Sequence, residues 1–335
     1  MAVGRVNVGG KNVEEIGVLI GNDTSMMLKR GGYSSKVVAD NNNAYVSGEG
    51  VSGTVALKLY KDSLDIELTG TYNGGLMTDD SDYLYAAYIV NAAEINIRKI
   101  RKTTLQYTAA SISVCEKCFS AAVDENYVYV GGRPAGKIIK LDKTNLSLVG
   151  ESVAITNFGD VTGLQTSDGF LYACGYGGLV CKLDPSNLSV VKQYTLSTTP
   201  KILEDLTVDA DYVYVVGNKV YKFNKADLSF LAESTPVAGG NSPSYAITSD
   251  LDYLYVGCGL NLNKVRKIKK ENLTIEAESS QFSQNTYADA NGWITSIAIN
   301  EDRVYIYGAQ AAGGSTMPPK PVKSYFKNTI YKDKN

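Results

Sequence analysis

The stretch from Asp124 to Leu148 recurs in variant form from one end of the chain to the other, and no other feature limits the possible folds as strongly. In it an apolar, aromatic strand, Tyr127-Val128-Tyr129-Val130, runs into a glycine-containing turn. A second alternating strand follows from Ile138 to Leu141, and a polar Lys-Thr-Asn turn then leads to Leu146. With the second tyrosine as anchor, copies centre on Tyr45, Tyr85, Tyr129, Tyr172, Tyr214, Tyr255 and Tyr305, with Asn43, Phe170 and Arg303 replacing the first tyrosine in three of them. The gaps are 40, 44, 43, 42, 41 and 50 residues. Eight residues before each anchor stands an apolar side chain (Val37, Met77, Ala121, Leu164, Leu206, Ile247, Ile297), which marks a preceding strand. After it comes a segment opening on lysine and closing on leucine, such as Lys58 to Leu64, Lys140 to Leu146 and Lys267 to Leu273. Each unit reads as four strands, because alternation has period two and no stretch sustains helical periodicity.

A four-stranded unit with open edges cannot bury both faces alone, and repeats of about 40 to 50 residues solve this by stacking radially. The expected fold is all-β, a single seven-bladed β-propeller of four-stranded blades with an N-terminal arm. The strand pattern resembles YVTN-type and other propellers without the Trp-Asp and Gly-His signatures of WD40 units, a resemblance that implies fold only. The seventh copy, Ser324 to Ile330, is degenerate but keeps Lys327, and Tyr331 to Asn335 is too short for a full outer strand. Counting back from Val37 at ordinary loop spacing places the missing strand at about residues 24–30. Residues 23–335 then make the propeller and residues 1–22 an attachment arm. Its β-prone stretches, Val3 to Val8 and Gly17 to Ile20, would dock on a partner's sheet edge, the alternative being an arm folded back across the ring.

With 33 basic and 35 acidic residues and a net charge of -2, the chain carries no basic field for nucleic acid or an anionic membrane. No apolar run reaches a membrane span, and Met1 to Glu15 lacks the apolar core of a signal peptide, so neither nucleic-acid binding nor membrane insertion is expected. The absence of histidine removes the commonest general base and metal ligand. Five cysteines make no disulfide framework and suggest a reducing site of synthesis. Cys115-Glu116-Lys117-Cys118 has the spacing of a zinc half-site or redox pair, but no second such motif completes a tetrahedron. A two-residue Gly177-Gly178 turn would set Cys174 directly opposite Cys181. No phosphate loop, dinucleotide fingerprint or EF-hand loop is present, so no cofactor and no metal is expected.

The paired tyrosines either form a stacking platform for sugars or fill the space between blades, and packing is the simpler account. The lysine column either forms a cationic ring or pairs across strands with Asp82, Asn126, Asp211, Asp252 and Asp302, three residues before the anchors. The turns between second and third strands vary most in length, which makes their rim the expected binding surface, through Tyr88, Arg133, Tyr176, Asn218, Asn261, Gln310 and Met317. The segment Arg5-Val6-Asn7-Val8-Gly9-Gly10-Lys11 is similar to the start of tail-fibre and tail-associated proteins of clostridial phages and phage-tail-like bacteriocins. That similarity implies a non-enzymatic structural or host-recognition component of a virion tail, assembled in the host cytoplasm. Its partners would be other tail or baseplate proteins, through the arm, and a cell-surface glycan. The alternatives are a glycan-active lyase or glycosidase and an intracellular scaffold that binds proteins.

Overall fold

The computed structural model describes residues 2–8, 11–19, 36–50, 53–61, 64, 66–71, 74–91, 94–133, 136–152, 154–197, 202–237, 244, 246–258, 264–279, 292–301, 303–310 and 321–326. All described strands pair antiparallel with sequence neighbours, except where the chain termini meet. Six sheets are four-stranded meanders, and one is five-stranded in the order Ala2–Val8, Lys11–Leu19, Pro321–Phe326, Arg303–Gln310, Gly292–Ile299. Seven equal four-stranded blades are therefore not what forms. The place beside Pro321–Phe326, expected from residues 24–30, is held by Lys11–Leu19, with Gly17 opposite Lys323 and Val18 opposite Val322. Residues 24–30 lie outside the described ones. The stretch read as an attachment arm thus contains a hairpin, Val8 facing Lys11 across its turn, built into the sheet. Loop spacing placed this strand too late, because it assumed that the closing strand follows the usual connection to the next inner strand.

Each sheet contributes one inner strand to a common axis, where Val37–Ala39 lies against Gly74–Asp79 on one side and Gly292–Ile299 on the other. The apolar residue eight before each anchor, from Val37 to Ile297, lines one axial cavity of about 320 Å³. The architecture is a β-propeller.

Three repeated residues form the joint between neighbouring sheets. The anchor tyrosine lies fully buried on the next sheet: Tyr85 packs on Leu141 and Leu146, Tyr129 on Leu183 and Leu188, and Tyr305 on Leu59 and Leu64 of the first sheet. The partner leucines end a polar turn whose amide closes back four residues, Leu146 N to Asp142 O at 2.7 Å, and they adopt left-handed backbone angles, with φ 61° at Leu146. Lysine stands opposite the anchor in the ladder, Lys140 facing Tyr129. Its ammonium crosses to the same turn of the next sheet: Lys99 donates to Lys143 O at 2.9 Å, Lys140 to Pro185 O at 2.7 Å and Lys222 to Lys270 O at 2.9 Å. Each also sits over the first aromatic of its own pair, 3.8 Å from the Tyr127 ring for Lys140. The expected cross-strand pairing with the acid three residues before the anchor is corrected accordingly. Asp82, Asn126, Asp211 and Asp252 stand exposed in the turn, whereas the lysine lies opposite the anchor itself.

The acid that matters stands five residues before the anchor. Asp80 accepts from the amides of Asp82 and Tyr83 and from the Tyr85 hydroxyl at 2.9 Å, and Asp40, Asp124 and Asp250 repeat this arrangement. Lys143 of the next sheet completes it, 3.1 Å from Asp80. Burial alone would raise the Asp80 carboxyl, but these donors outweigh it and hold it below the usual carboxylate range. The hydroxyls of Tyr45, Tyr85, Tyr129 and Tyr255 are thus tied to carboxylates, and those of Tyr172 and Tyr305 meet the backbone carbonyls of Lys225 and Lys61.

Cys174 faces Val180, and Cys181 faces Ala173, one step off the expected register. Gly178 at φ 74° adds a bulged residue to the turn, which shifts the ladder by one. Both thiols are buried, and Cys115 and Cys118, whose spacing is that of a redox pair or a zinc half-site, are joined as a disulfide with Cα atoms 6.1 Å apart.

Candidate functional site

The site grows from the inner strands where they begin, on the face that also carries the turns between second and third strands. Nine residues before the anchors, at this end of the inner strands, most residues are small, and Ser120 and Ser296 are buried against the backbone of the neighbouring inner strand at Val161 and Val37. Two of these positions carry a charge. Lys36 of the first sheet and Asp205 of the fifth stand 3.9 Å apart. Two sheets separate them even by the shorter way round, so the ion pair spans the axis and covers the apolar ring beneath. Burial pushes the Asp205 carboxyl up, against the Lys36 charge and the amides of Ile247 and Leu206, which pull it down.

Tyr176 brings a third sheet to this mouth. The turn after Phe170–Gly175 is held under the preceding loop, with Tyr176 N donating to Asp160 O at 3.2 Å and Gly177 N to Phe158 O at 2.8 Å. The tyrosine is therefore fixed although 38% exposed. Its ring lies 6.5 Å from Phe119 of the third sheet, and its hydroxyl hydrogen-bonds Glu204, next to Asp205 in the fifth. Burial first, and then the Asp205 charge, push the Glu204 carboxyl up to about 8, the tyrosine hydrogen bond opposing them. The mouth thus holds a protonated carboxyl at neutral pH, an aromatic pair and one cross-axis ion pair, a set suited to hydrogen-bonded recognition of a polar ligand.

This has a stability consequence. Between the ordinary glutamate value near 4.5 and about 8, the folded chain keeps a proton on Glu204 that the unfolded chain has released. Its contribution is therefore complete below the unfolded value and is lost as pH rises through the folded one. Glu204→Gln removes the titration while keeping an acceptor for Tyr176. Its melting temperature relative to wild type is expected to rise by roughly 3 °C from pH 5 to pH 9. Thermal scans across that range check it, and a pH-independent difference would contradict it.

Of the seven residues expected on the rim, Tyr176 is brought to a site where several sheets meet. Tyr88 stacks under Arg98 of its own sheet, 3.3 Å from guanidinium to ring centre. Asn218 accepts from Tyr221 within its own turn at 2.8 Å. Arg133 and Gln310 end their strands on this face, and Asn261 and Met317 lie outside the described residues. Sequence reasoning missed Lys36, Glu204 and Asp205. A signal existed, because nine residues before the anchor the other copies carry the uncharged Leu76, Ser120, Gly163, Ala246 and Ser296.

No protein-family model matches the chain, and no curated protein matches it in sequence. Solved structures match it in fold. The computationally designed Ika8 protein is 10% identical with a TM-score of 0.61, covering 88% of this chain and 83% of its own. BamB from Moraxella catarrhalis is 18% identical with a TM-score of 0.53, covering 89% of this chain and 84% of its own. At these identities the likeness is one of fold alone, a β-propeller of four-stranded blades.

Proposed function

We propose that this chain is a non-enzymatic binding propeller, with the five-stranded sheet as its seventh blade, which engages a protein or surface glycan through the loop face around the axis mouth. The observation that carries this is the meeting of three sheets at Tyr176, which Phe119 and Glu204 hold in place while it stays exposed. Elsewhere the repeated polar side chains are spent on joints between sheets. The narrower setting is a structural or host-recognition component of a phage tail or tail-like particle, supported by the likeness of Arg5 to Lys11 to the start of such proteins. Ala2–Val8 is the outermost strand of its sheet, so its open edge offers a tail or baseplate protein a place to add a strand.

Fluorescently labelled protein is expected to bind intact clostridial cells, and Tyr176→Ala is expected to weaken this about tenfold at unchanged melting temperature, as for an aromatic anchor at an interface centre. Equal binding by wild type and Tyr176→Ala would refute the rim reading. A second reading, a glycan-cleaving propeller, is favoured by one observation, the raised Glu204 carboxyl, which has the protonation of a general acid. Release of reducing ends from envelope polysaccharide, lost in Glu204→Gln, would establish it instead.

A further inference from the structure

The fourth unit breaks the repeat on the face opposite the axis mouth. In the other units a three-residue turn follows the inner strand, and an acid or amide five residues before the anchor caps it: Asp40, Asp80, Asp124, Asp209, Asp250 or Asn300. Ser167 holds that place before Tyr172, and the turn shrinks to Asp168-Gly169, both left-handed at φ 48° and 72°. Asp168 still takes the lysine of the next sheet, Lys225, but the carboxylate that meets the anchor hydroxyl at Tyr45, Tyr85, Tyr129 and Tyr255 is missing at Tyr172. A cavity of about 580 Å³ opens there between the fourth and fifth sheets.

Its walls keep the aromatic pair and the crossing lysine of the other joints, and the missing cap opens the space beside them. Phe170 and Tyr212, both partly exposed, supply aromatic surface, with the buried Tyr172 behind them. The Tyr172 hydroxyl, lacking its acid, lies 3.4 Å from Lys225 O, a long contact for a buried phenol. The Lys182 ammonium donates to Lys225 O and Ala226 O at 3.2 and 3.3 Å, and Lys225 bonds Asp168 at 2.5 Å. Asp211 adds a second carboxylate beside the opening and Asn224 an amide. Two ammonium groups against two carboxylates leave no net charge to select an anion. Aromatic faces beside a balanced set of donors and acceptors suit a neutral ring whose faces are C–H and whose edge is hydroxyl.

We propose that this notch binds a pyranose unit of a glycan, its ring against the aromatic wall and its hydroxyls shared between the lysine ammoniums and the Asp168 and Asp211 carboxylates. The site is independent of the axis mouth. Saturation-transfer NMR on the full chain, with the methyl pyranosides of glucose, galactose, mannose and N-acetylglucosamine, is the test. At least one is expected to show transfer, which Ala226→Trp abolishes by filling the notch from an exposed turn position. Thr144→Trp, at the matching position of the third unit, and Tyr176→Ala are expected to leave transfer intact, so that failure of the rim reading and failure of this one are told apart. Asp211→Ala, an exposed change that removes one acceptor, is expected to weaken binding about tenfold and serves if the tryptophan lowers the melting temperature. No transfer from any of the four sugars, or transfer unaffected by both Ala226→Trp and Asp211→Ala, would overturn the proposal.

Discussion

Leu146→Ala is expected to lose about 3 kcal/mol of stability, and Leu146→Gly no more than that, a reversal of the usual order of these two residues. The leucine is fully buried against Tyr85 of the preceding sheet, so truncation leaves a cavity in the joint. Its backbone, however, sits at φ 61°, where a side chain costs roughly 1 kcal/mol and glycine costs nothing. Alanine keeps the strain without the burial, whereas glycine gives up both. The same angle recurs at Leu64, Leu105, Leu188, Leu228 and Leu273, so burial outweighs strain at each joint. Urea titrations of the three proteins with a common slope measure both differences. An alanine variant more stable than the glycine variant by about 1 kcal/mol would show that the left-handed turn carries no strain worth relieving.

The anchor tyrosines and the apolar residues eight positions earlier were legible because both recur at nearly constant spacing, and the structure puts the first on the sheet joints and the second on the axis. The destination of the lysines was not. The distance from anchor to lysine runs from 8 residues at Tyr214 to 14 at Tyr85, so turn lengths hide a register in which lysine faces the anchor in every unit but the last, where Ser324 faces Tyr305. The axis mouth was illegible for a different reason. Lys36 and Asp205 lie 169 positions apart in unlike units, and only closure of the ring brings them to 3.9 Å. The notch was visible in principle, since Ser167-Asp168-Gly169 lacks the capping acid of the other units, but a missing cap reads as drift until the space it leaves is seen.

Removing residues 1–19 is expected to cost about 5 kcal/mol and to lower the melting temperature by roughly 10 °C, the largest effect foreseen for any single change. The loss takes away the four register pairs between Lys11–Leu19 and Pro321–Phe326 and, with them, the hairpin that covers this edge. An uncovered strand also invites pairing between molecules, so the truncated protein should associate on warming. Tyr305 packs on the first sheet through Leu59 and Leu64, which means that loosening the terminal sheet also loosens the joint that closes the ring.

Both the rim and the notch depend on that ring being closed by its two termini together. The most direct measurement is a disulfide cross-link between Gly17→Cys and Lys323→Cys, which face each other in the ladder, in a background with the native cysteines replaced by serine or alanine. Oxidation is expected to give a near-complete intramolecular bond, seen as a loss of two hydrogens by mass spectrometry and a raised melting temperature. No bond for this pair, together with efficient bonding of Met27→Cys to Lys323→Cys, would show that a later strand closes the ring and would contradict the closure described above.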